Sequence, residues 1–394
     1  MSGIVIIGAG ECGVRAAFAL REAGFEGSVT LIGNEPHLPY ERPPLSKGYP
    51  VTVKPIAAEE AFPDKRIELK RGATAAEFDP AAKTVLLDND ETLAYDKLLI
   101  ATGARARRFP GMEIARTLRT IDDADAILGA IGADTHLAII GGGFIGLELA
   151  ATARMNGAKV TVIEAADRLM ARAVPAEVAA VAEARHRVEG VRIILNALVA
   201  GASPNEVRLT DGRVIACDLV VAGVGALPNK CLAEYAGAEI SNGIVVDEAF
   251  RTSLPDVFAA GDCCSFPYRG RSIRLESWRS AQDQAAHAAR AMLGDGTAYA
   301  RVPWFWSDQY DLGLQVAGIF EPGGPTHRRD LGEGAFVVFQ IDGAGKLVAA
   351  AGIGPGNVVA KDIRLAEMMI ERGIAPDPAK LADPSVNLKA LLKG

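Results

Sequence analysis

No two cysteines in this sequence stand at a spacing that redox or metal chemistry uses. The five, Cys12, Cys217, Cys231, Cys263 and Cys264, are odd in number and form no C-x-x-C pair. That excludes a disulfide framework and a zinc or iron–sulfur site built from this chain's own thiols. Cys263 and Cys264 are neighbours, a separation that disulfide geometry disfavours, so they read as small buried packing residues. Positive charge is short as well: 42 Lys+Arg against 49 Asp+Glu give a formal net charge of −7, which argues against a nucleic-acid binder. No apolar run approaches the roughly 20 residues of a membrane span. The opening MSGIVIIGAGECG has neither a basic region nor an apolar stretch long enough for a secretory signal. The expected location is the cytoplasm, with no membrane partner.

What is present is glycine in a fixed pattern. With 394 residues, 49% of them hydrophobic and 23% charged, the chain fits two or three globular domains with room for large cofactors. The segment GIVIIGAGECGVRAAFALREAGFEGSVTLIGNE reads as strand, glycine turn, amphipathic helix and strand. Gly8, Gly10 and Gly13 fit G-x-G-x-x-G, in which glycines allow a tight turn, close backbone approach to a pyrophosphate, and helix–strand packing. Glu35 follows 22 residues after Gly13, where a carboxylate bonds ribose hydroxyls.

The pattern returns in HLAIIGGGFIGLELAATARMNGAKVTVIEAADRLM, with Gly141, Gly143 and Gly146, and Glu164 18 residues further on. Glycine turns also join strands and helices that bind nothing. Two copies, each keeping its terminal acid, point to two dinucleotide sites. Ala165 and Ala166 follow Glu164, so no arginine stands immediately there for a 2′-phosphate, and the second site reads as preferring NADH; Arg168 is the nearest exception.

Between the copies lies YDKLLIATGARARRFPG, and after the second lies LPDVFAAGDCCSF. Both are strands running into a glycine, and they resemble marks of the FAD-dependent pyridine nucleotide oxidoreductase superfamily. ERPPLSK, LRTIDDA, ESWRSAQDQAAHAARAML and VPWFWSDQYDLGLQVAG narrow the resemblance to the ferredoxin and rubredoxin reductase type of oxygenase systems, over nearly the whole chain. The resemblance implies an α/β fold with two Rossmann-like dinucleotide-binding domains of the glutathione-reductase-like kind and a smaller C-terminal α+β domain. Residues 1–108 and 231–302 would form the FAD-binding domain, 109–230 the NAD-binding domain and 303–394 the C-terminal domain. FAD would sit on the first fingerprint and NADH on the second. Arg42 and Lys47 would line the flavin, with the Ala101, Thr102 and Gly103 turn beside it. Arg119 and Asp262 would reach its phosphate or ribityl part, and Trp278 would border the ring.

In dithiol members of the superfamily the stretch corresponding to ERPPLSKGY carries a C-x-x-x-x-C pair; here it has no cysteine. The flavin's electrons would therefore leave singly to an acceptor protein, a [2Fe-2S] ferredoxin feeding a Rieske-type oxygenase or a cytochrome P450. Lys47, held by the prolines before it, and Glu148, just past the second fingerprint, are the expected catalytic pair. Arg271, Arg274 and Arg279 form a basic cluster suited to an acidic ferredoxin. Trp304 reads equally as a ring on the flavin edge or as core. Competing readings are an NADH oxidase, a quinone reductase, or an NADH/FAD redox-sensing interaction protein. The helix from Pro175 to Gly190 reads as exposed. His186 and His287, in charged helical surroundings, read as solvated, and no metal site is expected.

Overall fold

The computed structural model describes residues 3–393 as two compact units. The first takes in the chain up to Arg42, Val53–Arg105 and Ala226–Arg301; the second takes in Pro43–Thr52, Ala106–Gly225 and the chain from Val302 onward.

The first unit is built on a five-stranded sheet in the order Val257–Ala259, Lys97–Ile100, Gly3–Ile7, Ser28–Gly33 and Ile67–Arg71. Every neighbouring pair in it is parallel. Its central strand, GIVII, is buried at every position, as expected where helices cover both faces of a parallel sheet. Each large aliphatic side chain there contributes roughly 1.5–3 kcal/mol of gross transfer free energy. Helix Glu11–Glu22 buries Val14, Ala16, Ala17 and Leu20 and packs against helix Trp278–Met292. The latter presents Ala281, Ala285, Ala288 and Ala289, so small residues on both sides let the two backbones come close.

The second unit carries a four-stranded parallel sheet, ordered Arg192–Ile194, Lys159–Ile163, His136–Ile140 and Leu219–Ala222. It also carries an antiparallel sheet ordered Trp304–Gln309, Leu312–Gly318, Leu347–Pro355, Ala335–Ile341 and Thr326–Gly332. The fold is thus α/β, with two Rossmann-like parallel sheets and a C-terminal antiparallel sheet. Helix Ala360–Glu371 lays Ile363, Ala366, Met369 and Ile370 on this last sheet, at helical spacing.

One buried cation ties the end of the chain to that sheet. Arg329, 5% exposed, donates to Asp362 at 3.0 Å and to the carbonyls of Leu381, Asp383, Pro384 and Val386.

Two expectations are corrected. Helix Ala176–Val188 is not an exposed helix: Val178, Ala179, Ala182 and His186 form a buried stripe along it. His186 is fully buried and His287 nearly so, because the charged neighbours that suggested solvent lie on other faces of their helices. His287 instead packs on the rings of Phe250 and Tyr299. Four cysteines are buried and Cys231 is exposed, and none is in a disulfide. Burial pushes the Cys12, Cys263 and Cys264 thiols upward, and Cys217 up to about 11. Among the described residues no helix is long and apolar enough to cross a membrane.

Arg329→Met strands the Asp362 carboxylate and four carbonyls, and is expected to lower stability by about 3–5 kcal/mol in urea titrations followed by circular dichroism. Arg328→Met, on the same strand but paired with an exposed Asp330, is expected to lower it by less than about 1 kcal/mol.

Candidate functional site

In each parallel sheet the glycine turn follows the central strand at its carboxyl end, where open α/β sheets bind ligands. The three glycines of each turn have different jobs. Gly8 has φ +114°, and a Cβ there would run into the Ala101 carbonyl; a Cβ on Gly13 would run into the carbonyl of Gly8. Gly10 is different, since a Cβ there would meet nothing within 4 Å. The second copy repeats this: Gly141 abuts the Gly223 carbonyl, Gly146 abuts Gly141, and Gly143 faces open space. Gly10 and Gly143 are the N-caps of 12-residue helices and supply no side-chain cap. Each fingerprint thus offers uncapped helix N–H groups beside space that a side chain would fill, a cradle suited to a pyrophosphate.

Around the first turn stand several of the expected residues. Glu35 is bonded by Arg42 at 2.5 Å and by the Tyr40 hydroxyl. Ala101, Thr102 and Gly103 follow strand Lys97–Ile100 and are held by Asn229, whose amide donates to the Thr102 carbonyl at 2.9 Å and whose backbone accepts the Thr102 hydroxyl at 2.7 Å. Asp262 comes just after strand Val257–Ala259, and Trp278 opens its helix. Two neighbours were missed in the sequence. Gln284 is fully buried, accepts the Gly261 N–H at 2.8 Å, and has an Nε2 without a hydrogen-bond partner among the described residues. Glu11, within the fingerprint, accepts from Gln282 at 2.6 Å, and burial raises its pKa. Open cradle and orphaned amide together fit a polar ligand such as FAD at this end of the sheet.

Glu164 ends strand Lys159–Ile163 with its oxygens on the Gly142 and Ala166 N–H groups, at 2.6 and 2.8 Å. Arg168 is engaged by the carbonyls of Ala171 and Val174. Arg119 folds with the second unit, directly before the capping box of helix Ile121–Leu128, where its N–H donates to Asp123.

Lys47 also folds with the second unit, in a tight cluster. Pro43 and Pro44 fix φ in a single 3₁₀ turn, Pro43–Ser46, and the Lys47 N–H closes on the Pro44 carbonyl at 3.0 Å. Ser46 is stitched to helix Phe144–Met155 twice: its carbonyl accepts from Thr152 at 2.7 Å, and its hydroxyl donates to Glu148 at 2.5 Å. The other Glu148 oxygen accepts from Ser307 at 2.7 Å. Burial raises the Glu148 pKa, opposed by Lys47, Ser46 and Ser307 and reinforced by Asp308.

Lys47 and Glu148 are brought together, at 3.8 Å. The tighter partner of Lys47 is Asp308, at 2.7 Å, a residue sequence reasoning did not single out. The ammonium also lies 5.2 Å from the ring centre of Trp306, which stacks on Trp304. Trp304 packs as well against the core of the C-terminal sheet.

The chain belongs to a known class. Residues 2–285 match the pyridine nucleotide-disulphide oxidoreductase family and residues 304–392 the reductase C-terminal family. It is therefore an FAD-dependent oxidoreductase that uses NAD(H). It is 41% identical to the ferredoxin–NAD(+) reductase component of the anthranilate 1,2-dioxygenase system of Burkholderia cepacia, over 98% of both chains. The solved putidaredoxin reductase–putidaredoxin covalent complex is similar with a TM-score of 0.94 and 34% identity, over 100% of this chain and 98% of that one. The ferredoxin reductase for the CYP199A2 system from Rhodopseudomonas palustris has a TM-score of 0.92 and 35% identity, over 99% of each chain.

The different roles of the glycines are testable. At Gly10, an alanine N-cap costs up to about 1 kcal/mol, and the lost chain entropy of the unfolded state offsets a similar amount. Gly10→Ala is expected to leave the flavin-free protein's melting temperature nearly unchanged while FAD is lost on gel filtration. Gly13→Ala is expected to destabilise the flavin-free protein itself.

Proposed function

We propose that the protein is an NADH-dependent ferredoxin reductase, passing electrons through FAD to a [2Fe-2S] ferredoxin that serves a Rieske-type oxygenase or a cytochrome P450. The observation that carries this reading is the turn Pro43–Ser46 with Lys47. Where disulfide-reducing relatives place thiols, this chain has Ser46 and Lys47 bonded into the Glu148 and Asp308 cluster, and all five cysteines lie elsewhere. No internal thiol stands there to take the electrons, so they leave to a partner. The names of the relatives, reductase components of dioxygenase and P450 systems, support the same acceptor class.

In this reading residues 1–108 and 231–302 hold FAD, 109–230 hold NADH, and 303–394 complete the enzyme. Bound FAD would supply the chemistry that converts a hydride from NADH into single electrons for an acceptor. The chain's own residues prepare the site. The uncapped helix ends at Gly10 and Gly143 take the pyrophosphates, and Glu35 and Glu164 take ribose hydroxyls. Ala101, Thr102, Gly103, Arg42, Arg119, Asp262 and Trp278 hold the flavin. Lys47 would set a cation and Glu148 a carboxylate toward the nicotinamide, the carboxylate held in place by Ser46 and Ser307. Arg168 is committed to the carbonyls of Ala171 and Val174 rather than awaiting a 2′-phosphate, which supports NADH over NADPH.

For the ferredoxin, the cluster Arg271, Arg274 and Arg279 supplies positive charge in a chain of net charge −7. Arg271 is exposed, whereas Arg274 is 9% exposed and bound to Glu276. In this reading docking rests first on Arg271, and secondly on Arg279, which is partly exposed and lies 3.8 Å from Asp283. The cytoplasm is the location this reading proposes.

The test is NADH-driven reduction of cytochrome c by the purified yellow protein, with and without [2Fe-2S] ferredoxins. A strong rise with a ferredoxin is expected, as is a loss of roughly tenfold in its kcat/KM at low salt for the Arg271→Glu, Arg279→Glu double variant, narrowing as salt rises. Rapid oxygen or quinone consumption with no ferredoxin effect would replace this reading with an oxidase or quinone reductase. Slow turnover with every acceptor would replace it with a redox-sensing protein.

A further inference from the structure

Behind Glu148 runs a row of four hydrogen bonds, three of them buried, that no step of the proposed reaction requires. Ser307 and Gln309, two apart on strand Trp304–Gln309, point to the same side of the sheet, and both are almost fully buried. Gln309 Nε2 lies 3.1 Å from Ser307 Oγ, and Gln309 Oε1 lies 3.0 Å from His186 Nε2. His186 Nδ1 lies 3.4 Å from the Tyr310 hydroxyl. At the far end Ser307 Oγ meets Glu148 Oε1 at 2.7 Å.

Proton counting gives this row one direction. An ionised carboxylate only accepts, so Ser307 spends its single proton on Glu148. Its oxygen must then accept, and the Gln309 NH₂ is the donor at hand. That turns the Gln309 carbonyl toward His186, whose proton must sit on Nε2, leaving Nδ1 to accept from Tyr310. Every dipole from Tyr310 onward points at Oε1 of Glu148. If Glu148 were protonated on Oε1, Ser307 would have to accept from it as well as from Gln309, and its own proton would lose its acceptor.

We propose that His186 is a positioning residue for the reductase reaction: through Gln309 and Ser307 it fixes the orientation of Glu148 and holds Oε1 as the acceptor at the end of a one-way row. This rests on the reading that Glu148 serves the nicotinamide site. The row is needed because a carboxylate this deeply buried is otherwise driven toward its neutral form. Burial lowers the pKa of His186 against its bond to Gln309, so the ring stays neutral and keeps the tautomer the row demands. The charges facing His186 are Arg185 and Glu189 on its own helix and C-cap, with Asp311 bound to Arg185 at 2.9 Å from the strand side. Those facing Glu148 are Lys47 and Asp308.

The experiment follows the Glu148 carboxyl itself, by ¹³C NMR of glutamate-labelled holoenzyme across pH, assigned with Glu148→Gln. The parallel readout is the pH profile of flavin reduction by NADH. In His186→Leu the Glu148 midpoint is expected to rise by about one pH unit, making reduction about tenfold slower on the acid limb of the profile. His186→Gln puts an amide donor where Nε2 was and is expected to restore both. Gln309→Leu breaks the row at its next link and is expected to reproduce the His186→Leu shift, and it serves if His186→Leu does not fold. An unmoved Glu148 midpoint in the leucine variants overturns the proposal. If the midpoint moves but Glu148→Gln reduces its flavin as fast as the parent, the reading of the nicotinamide site fails, and the role of His186 in the reaction falls with it.

Discussion

A carboxylate removed from water has to be surrounded before it can keep its charge, and Glu148 is that carboxylate here. Stripped of partners it would sit several kcal/mol above its hydrated state. Two serine hydroxyls and a nearby ammonium offset much of this. They come from two places far apart in sequence, the Pro43–Ser46 turn with Lys47 and the edge strand of the C-terminal sheet, and both reach the helix after the second glycine turn that carries Glu148. Folding that carboxylate inward therefore obliges Pro43–Thr52 and the antiparallel sheet to gather on the same helix.

The charges that surround it are graded. Lys47 and Asp308 form a half-exposed pair at 2.7 Å, worth about 0.2–1 kcal/mol as a surface bridge, which leaves the ammonium free to change partner at little energetic loss. Ser46 and Ser307 are buried and fixed. The site thus combines a rigid acceptor with a cation that can be redirected, and the stacked Trp304 and Trp306 wall one side of it.

Much of this architecture was legible in the residues. Both strand–turn–helix units and their terminal acids follow from glycine spacing and apolar periodicity, signals that are local, while the C-terminal domain was implied by the family resemblance. Lys47 and Glu148 could be paired only because a family resemblance brought residues a hundred positions apart into one thought. What stayed hidden depends on tertiary contact. Asp308 looks like any exposed acid in a strand. Ser46 and Ser307 carry no motif, and His186 sits between Arg185 and Arg187, whose charges mask the buried stripe it shares with Val178 and Ala182. In sequence Arg274 looks like the exposed Arg271, yet it is ion-paired to Glu276 with its side chain 9% exposed. The unequal roles of Gly10 and Gly13 are likewise invisible in a pattern that writes both with one letter.

The distribution of thiols has a practical side. Of five cysteines, only Cys231 reaches solvent, while the others are buried and, through their raised pKa values, hardly ionised near neutrality. A maleimide spin label or fluorophore would therefore attach at a single point, the start of the short helix Cys231–Tyr235, without any engineered mutation. The protein carries a built-in surveyor's mark from which distances to a docked partner can be measured.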